Sequence, residues 1–381
     1  MSRLVRLTLS VLGTISVMSA AFVPAAAGAS AGSGPTRPEG FAAQSITWIS
    51  TTRGWMLGSA PCGTETCTEV VATTNGAQTW HVAGILRAPL TQFHHTGVSG
   101  LRFANAQVGW AFGPSLHSTT DGGRTWAKEA VPGGGRRVMA LAADADQAIA
   151  VVNPCKARKP FADCRRPITI WRSSPPGSPW QRVGMDLPGG YQAEAAVHGQ
   201  TGYVVIPNER LRHGAFVASL DGTTWSPRRN PCRTDRDEQL ASVAPITDTR
   251  VAIQCVGEPG TGMALKHGYR SNDAAASTRS AGIAPGLGIV TQIAAAPDGT
   301  IAMATYSIGS WIYRNAGGST WTKSVDLGDG GAGWNDIDFT TNQTGFVVHG
   351  PEALFGPGDL WGTTDGGATW ASLPVSQMAQ A

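Results

Sequence analysis

The chain has 381 residues, with 29 Lys and Arg against 26 Asp and Glu, a formal charge of +3. That near-neutral balance gives no sign of a nucleic-acid partner, and net charge in any case speaks to partners rather than to fold. Hydrophobic residues make up 41% of the chain, Gly numbers 49 and Trp 13, a composition that suits many short apolar strands joined by turns.

In chain order, Arg3 and Arg6 precede an apolar stretch from Leu7 to Val23 and then Pro24-Ala25-Ala26-Ala27. This pattern predicts a secretory signal peptide over 1–27, with cleavage placed between Ala27 and Ala31. A loose Gly/Pro-rich lead follows over 28–44. No Cys stands ready for a lipid, and the tail, 377–381, has no apolar anchor. The expectation is an exported bacterial protein, extracellular and monomeric, without a membrane anchor.

From residue 45 to 376 one unit recurs. Thr119-Thr120-Asp121-Gly122-Gly123-Arg124-Thr125-Trp126 returns as Thr363-Thr364-Asp365-Gly366-Gly367-Ala368-Thr369-Trp370. Looser copies end at Trp80, Trp180, Trp225 and Trp321, and a copy over 271–278 has lost its Trp, with Arg279 next in line. The spacing is about 48 residues, a period expected of propeller blades. Ahead of each copy lie two apolar stretches joined by a polar turn, such as Leu101-Arg102-Phe103 before Gly109-Trp110-Ala111-Phe112. Both signals count seven. They predict an all-β fold, a seven-bladed β-propeller of four-stranded antiparallel blades with strands A to D.

The octapeptide resembles the Asp-box (BNR) repeat of sialidases and related propellers. Its residue types suit a turn: the carboxylate accepts local N–H groups, Gly permits positive φ, and the Trp buries a large ring. Asp121, Asp221 and Asp365, with Trp126, Trp225 and Trp370, are therefore expected to be structural, and no residue is assigned a catalytic role. Sialidases add an Arg triad, a Tyr/Glu pair and an Arg-Ile-Pro element that this chain lacks. The rhythm of the repeats looks most like photosystem II assembly-factor-like propellers, a resemblance that implies a non-enzymatic protein binding through an Arg-rich face. The alternative is a sialidase-like or other glycoside hydrolase, which needs two carboxylates at one site. Asp186, Glu194, Glu209 and Asp237 are available, and nothing in the sequence pairs them.

Six Cys fall as three local pairs, Cys62 with Cys67, Cys155 with Cys164 and Cys232 with Cys255. In an exported chain they are expected to be disulfides. Neither a metal nor any cofactor is expected; His94-His95 has no acidic or imidazole partner at ligand spacing. All three pairs fall in B–C loops or D–A connections, on the face opposite the octapeptide turns.

That loop face also gathers the positive charge. Residues 124–236 hold 17 Lys and Arg against 9 Asp and Glu. The candidate ligand residues are Arg136, Arg137, Arg158, Lys159, Arg165, Arg166, Arg210 and Arg212, since Arg binds carboxylates bidentately. Trp311 and Trp334, in or beside the same loops, are candidates for stacking on a sugar or a protein. The expected ligand is a protein partner, an acidic glycan or a cell-wall polymer.

Overall fold

A computed structural model describes residues 40–373 except 92–95, 156–164, 191, 208–214, 234, 236, 331 and 351–357. The signal peptide, most of the lead, His94-His95, Arg158, Lys159, Cys164, Glu209, Arg210, Arg212 and the tail lie outside the described residues.

Seven four-stranded antiparallel sheets form a β-propeller, each built from four strands consecutive in sequence. Blades 1 to 7 span 42–86, 100–129, 137–187, 194–227, 239–284, 290–327 and 334–372. Each A strand packs against the A strands of both neighbouring blades, so the seven A strands close a ring around an axis. Helix among the described residues is confined to single turns such as Pro132–Gly134.

The sequence pattern explains the layering. B strands are buried on both faces, as in Tyr203-Val204-Val205-Ile206, which has no exposed member. D strands form the rim and alternate weakly, as in Gln181–Leu187, where only Leu187 is fully buried. Between each pair of adjacent blades lies one apolar cluster, seven in all.

No strand is shared between blades 7 and 1, so side chains close the ring. Phe346 of blade 7 stacks on Trp48 of blade 1 at 4.0 Å, the device that joins Trp55 of blade 1 to Phe103 of blade 2, also at 4.0 Å. Offset aromatic pairs of this kind add about 0.5–1.5 kcal/mol beyond their burial. Closing the ring leaves no long unpaired sheet edge at its axis.

The octapeptide turns act at these seams. Each closing Trp enters the cluster shared with the preceding blade: Trp80 lies in the seam between blades 7 and 1, Trp225 in that between blades 3 and 4, and Trp321 in that between blades 5 and 6. The turns press so closely on the preceding D strand that only Gly fits. A Cβ on Gly84 or Gly282 would sit 2.3 or 1.9 Å from a backbone oxygen of the next turn.

Two copies depart from the expected pattern. In blade 6, Ala316 stands where the repeat has Asp, and the structure shows Asn315 in its place. Its Oδ1 accepts the N–H of Gly317 at 3.1 Å, and its Nδ2 donates to the carbonyl of Thr320 at 2.8 Å. In blade 5 the Trp is missing, so the seam between blades 4 and 5 lacks its ring. That seam contains the Cys232–Cys255 disulfide, and Arg228 reaches across it to donate to the carbonyl of Ala274 at 2.8 Å.

Cys62–Cys67 is also bonded, joining the end of strand B to the start of strand C in blade 1. Cys155 is disulfide-bonded too; its expected partner, Cys164, lies outside the described residues. No helix among those residues is long and apolar enough to cross a membrane.

Candidate functional site

The octapeptide carboxylates are engaged by their own turns. Asp121 Oδ1 accepts the Thr119 hydroxyl at 2.8 Å and the Thr125 N–H at 3.0 Å, while Oδ2 accepts the Thr125 hydroxyl at 2.6 Å. Asp365 repeats the arrangement with Thr363 and Thr369, and Asp273 repeats it with Ser271 and Ser277. The Thr125 hydroxyl, then the backbone N–H groups, hold Asp121 down at about 2. Asp273 is held at about 2 by Ser277 in the same way. Asp221 is lowered as well, first by the Thr224 N–H. Three donors from the same turn engage both oxygens of Asp121, Asp273 and Asp365, which fits these side chains as turn staples.

The axial channel holds a different set. On the loop-face side it widens into a cavity of about 510 Å³, lined by A-strand residues of the seven blades together with Phe112 and Tyr306. A second cavity of about 400 Å³ opens toward the octapeptide face. Arg102 and Asp336 line both and so mark the waist.

Asp336 owes its position to a bulge in strand A of blade 7, where the register shifts between Asn335 and Ile337 and its own φ is +40°. Bulges re-aim side chains, and Asp tolerates the left-handed region better than most residues. The carboxylate meets the Arg102 guanidinium in a two-pronged pair, Nη2 to Oδ1 at 2.9 Å and Nη1 to Oδ2 at 3.2 Å. It also accepts the Ser45 hydroxyl and the Ile46 N–H, tying blades 7, 1 and 2 at one point. Arg102 Nη1 is further occupied by the carbonyls of Leu101 and Ile46, at 2.7 and 3.3 Å. Arg102, the one Arg lining either cavity among the described residues, is therefore committed to the structure.

Glu194 lies in the loop-side cavity on strand A of blade 4. Its Oε2 accepts the N–H of Val243 at 3.3 Å. Its place deep within the ring pushes it up to about 7, against the opposing effects of Ser242, Val243 and Arg102. Asp338, on the octapeptide side of the waist, is pushed up to about 6 for the same reason, although its side chain is open to the channel. Glu194 thus shares the loop-side cavity with the Arg102–Asp336 pair. Around them, Gln192, Gln292 and Asn335 offer amides that both donate and accept.

The predicted ligand residues stand elsewhere. Arg136, Arg165 and Arg166 are exposed on loops of blade 3, and Arg137 is half-buried at the start of its strand A. None of the four lines the axial cavities. Trp311 and Trp334 are only 5% and 1% exposed, which corrects the expectation of open stacking faces. Trp311 Nε1 donates to Asp326 at 2.7 Å, and Trp334 packs edge-on against Trp361. Arg182 occupies Asp186 on the rim, and Asp237 lies in the connection into blade 5. Of the carboxylates singled out from sequence, Glu194 lies in the channel, Asp186 and Asp237 do not, and Glu209 lies outside the described residues.

Reading the sequence missed Arg102, Asp336 and Asp338. The signal was present: they are charged residues within strands assigned to the innermost position, where the only polar direction is the axis.

No protein-family model matches the chain, and no curated protein matches its sequence. Solved structures of similar fold include YCF48 bound to D1 peptide, 17% identical over 84% of this chain and 97% of that one, with a TM-score of 0.52. An oligogalacturonate lyase in complex with manganese is 10% identical over 82% and 86%, with a TM-score of 0.53. The α-L-arabinofuranosidase of Fusarium graminearum in complex with an iminosugar inhibitor is 12% identical over 85% and 93%, with a TM-score of 0.48. At these identities the likeness is one of fold.

Proposed function

We propose that this protein is an exported binding protein that holds a segment of a protein partner on its loop face, with one side chain of the partner seated in the axial cavity. The observation that carries the reading is the loop-side cavity of about 510 Å³, walled by amides, Glu194 and the Arg102–Asp336 pair. Amides match the alternating donors and acceptors of a peptide. The exposed arginines Arg136, Arg165 and Arg166 of the blade 3 loops suit acidic side chains of a partner. That YCF48 binds a peptide supports a propeller of this shape in the role. The disulfides fit an oxidising, extracytoplasmic setting.

The test is co-purification of the mature chain with proteins exported by the same cell, using paired variants. Reversing Arg165 and Arg166 to Glu should abolish capture of a specific partner. Reversing Arg124, on the octapeptide face, should not. Equal capture by both variants would refute the reading.

A second reading draws on Glu194, a carboxyl group raised toward neutrality within the loop-side cavity, as the acid of a glycoside hydrolase. Turnover of a fluorogenic glycoside that is lost in Glu194→Gln would establish it in place of the first.

A further inference from the structure

On the rim of blade 5, far from the axis in strand order, three side chains form a line. His267 sits on strand C (Lys266–Ser271) and is 6% exposed. Its Nε2 lies 2.7 Å from the hydroxyl of Ser280 on strand D (Arg279–Ala284). Its Nδ1 lies 3.3 Å from Oε1 of Glu238, a carboxylate 1% exposed that enters from the connection before strand A. The other carboxylate oxygen accepts the N–H of Arg233 at 2.9 Å, which fixes its orientation.

The relay requires the imidazole proton on Nδ1, facing Glu238, which leaves Nε2 as an acceptor. The Ser280 oxygen accepts the N–H of Gly282 at 3.0 Å, and in that tautomer its own proton is shared with Nε2. Tyr269 Oη, 2.9 Å from Nδ1, completes the surroundings of the ring. The Glu238–His267 half is buried, whereas Ser280 is exposed. The hydroxyl stands at an irregularity, where the pairing of strands C and D shifts between His267 and Tyr269 and Gly282 takes φ +83°. Bulges of this kind recur beside reactive groups.

We propose that Ser280, His267 and Glu238 form a nucleophilic relay on the rim of blade 5 that accepts acyl groups from esters. In the forward step the Ser280 oxygen bonds to the ester carbonyl carbon while its proton passes to His267 Nε2. The carbon–oxygen bond to the alcohol then breaks, and the alcohol leaves with that proton. Water, deprotonated by the same nitrogen, releases the acid and restores the hydroxyl. Glu238 holds the tautomer and stabilises the imidazolium. The Gly282 N–H, which now faces the Ser280 oxygen, is the nearby donor for the developing oxyanion. Because the hydroxyl lies on an outermost strand, the substrate class is a short ester or an acyl group carried on an extended chain. The relay is independent of the axial cavity, so either can fail without the other.

The test is labelling of the purified mature chain with a fluorophosphonate, mapped by peptide mass spectrometry. Ser280 should carry the label, and His267→Gln should slow labelling by about a hundredfold, the usual contribution of a general base. Ser280→Ala, an exposed change expected to leave the melting temperature unmoved, should abolish it. Tyr269→Phe should retain labelling, since that hydroxyl is not part of the relay. Should His267→Gln fold poorly, a burst of one acetyl per chain from p-nitrophenyl acetate, absent in Ser280→Ala, decides the matter. No label, a label on another serine, or wild-type labelling of a folded His267→Gln overturns the proposal.

Discussion

The carboxylates of the octapeptide turns and those of the axial channel are the same functional group in opposite circumstances. Asp121 and Asp365 lie at the surface, each with its oxygens filled by three donors from its own turn. Glu194 and Asp338 lie inside the ring with fewer donors and are pushed the other way. The first set stabilises the fold by being ionised. The second is less favourable when ionised and is kept where water and a ligand can reach it. What separates staple from site is the supply of donors rather than the residue type.

The largest expected effect breaks the channel side of that comparison. Arg102→Met leaves the Asp336 carboxyl group at the waist without its partner, and should lower unfolding free energy by about 4 kcal/mol in urea titration. Adding Asp336→Asn should recover much of that loss, because the orphaned carboxyl group is then removed. If Arg102→Met alone melts like the wild type, the waist is not the tie described here.

Glu194→Gln sharpens the contrast by sign. A folded-state value near 7 lies above the ordinary 4.5, so the folded state binds the proton more tightly. Its stabilising contribution is complete below about pH 4.5 and is lost as pH rises through 7. The Gln variant should match the wild type near pH 4.5 and exceed it by about 2 kcal/mol at pH 8, the shift discounted for channel water. Thermal melts across that range read the difference.

Asp365→Ala strips one staple from the turn that closes blade 7. It removes the acceptor of three hydrogen bonds at a partly exposed site, so the expected loss is about 1–2 kcal/mol. Deleting Asp273, in the copy that has already lost its Trp, should cost less than deleting Asp365.

The smallest effect lies at acid pH. Asp121, held at about 2, lies below its ordinary 3.8, so its contribution is present above that value and lost as pH falls toward 2. Asp121→Asn should flatten the acid limb of the stability curve while leaving the limb between pH 5 and 8, assigned to Glu194 and Asp338, unchanged.

Much of the architecture was legible because the repeat acts through local chemistry. Thr, Asp, Gly and Trp at fixed spacing specify a turn wherever they occur, and seven turns count seven blades. The blade 6 turn was harder to read, since Asn315 does from the strand end what Asp does from within the turn. Gly84 and Gly282 were not legible at all: their necessity comes from the turn of the next blade, which is distant in sequence. The site was harder still. Glu194, Arg102 and Asp336 come from blades 4, 2 and 7 and meet only once the ring closes. The arginine-rich loops stood out in sequence because they are contiguous, and contiguity is no guide to what faces an axis.

The central claim is that the molecule acts from its loop face and uses the octapeptide face to hold itself together. Site-specific photo-crosslinking tests it most directly, with the reactive group placed at Gln192 or Gln292 on the cavity wall, or at Arg124 on the octapeptide face, in cells exporting the protein. The account predicts a discrete crosslinked partner from Gln192 and Gln292 and none from Arg124. A partner captured from Arg124 alone would contradict it.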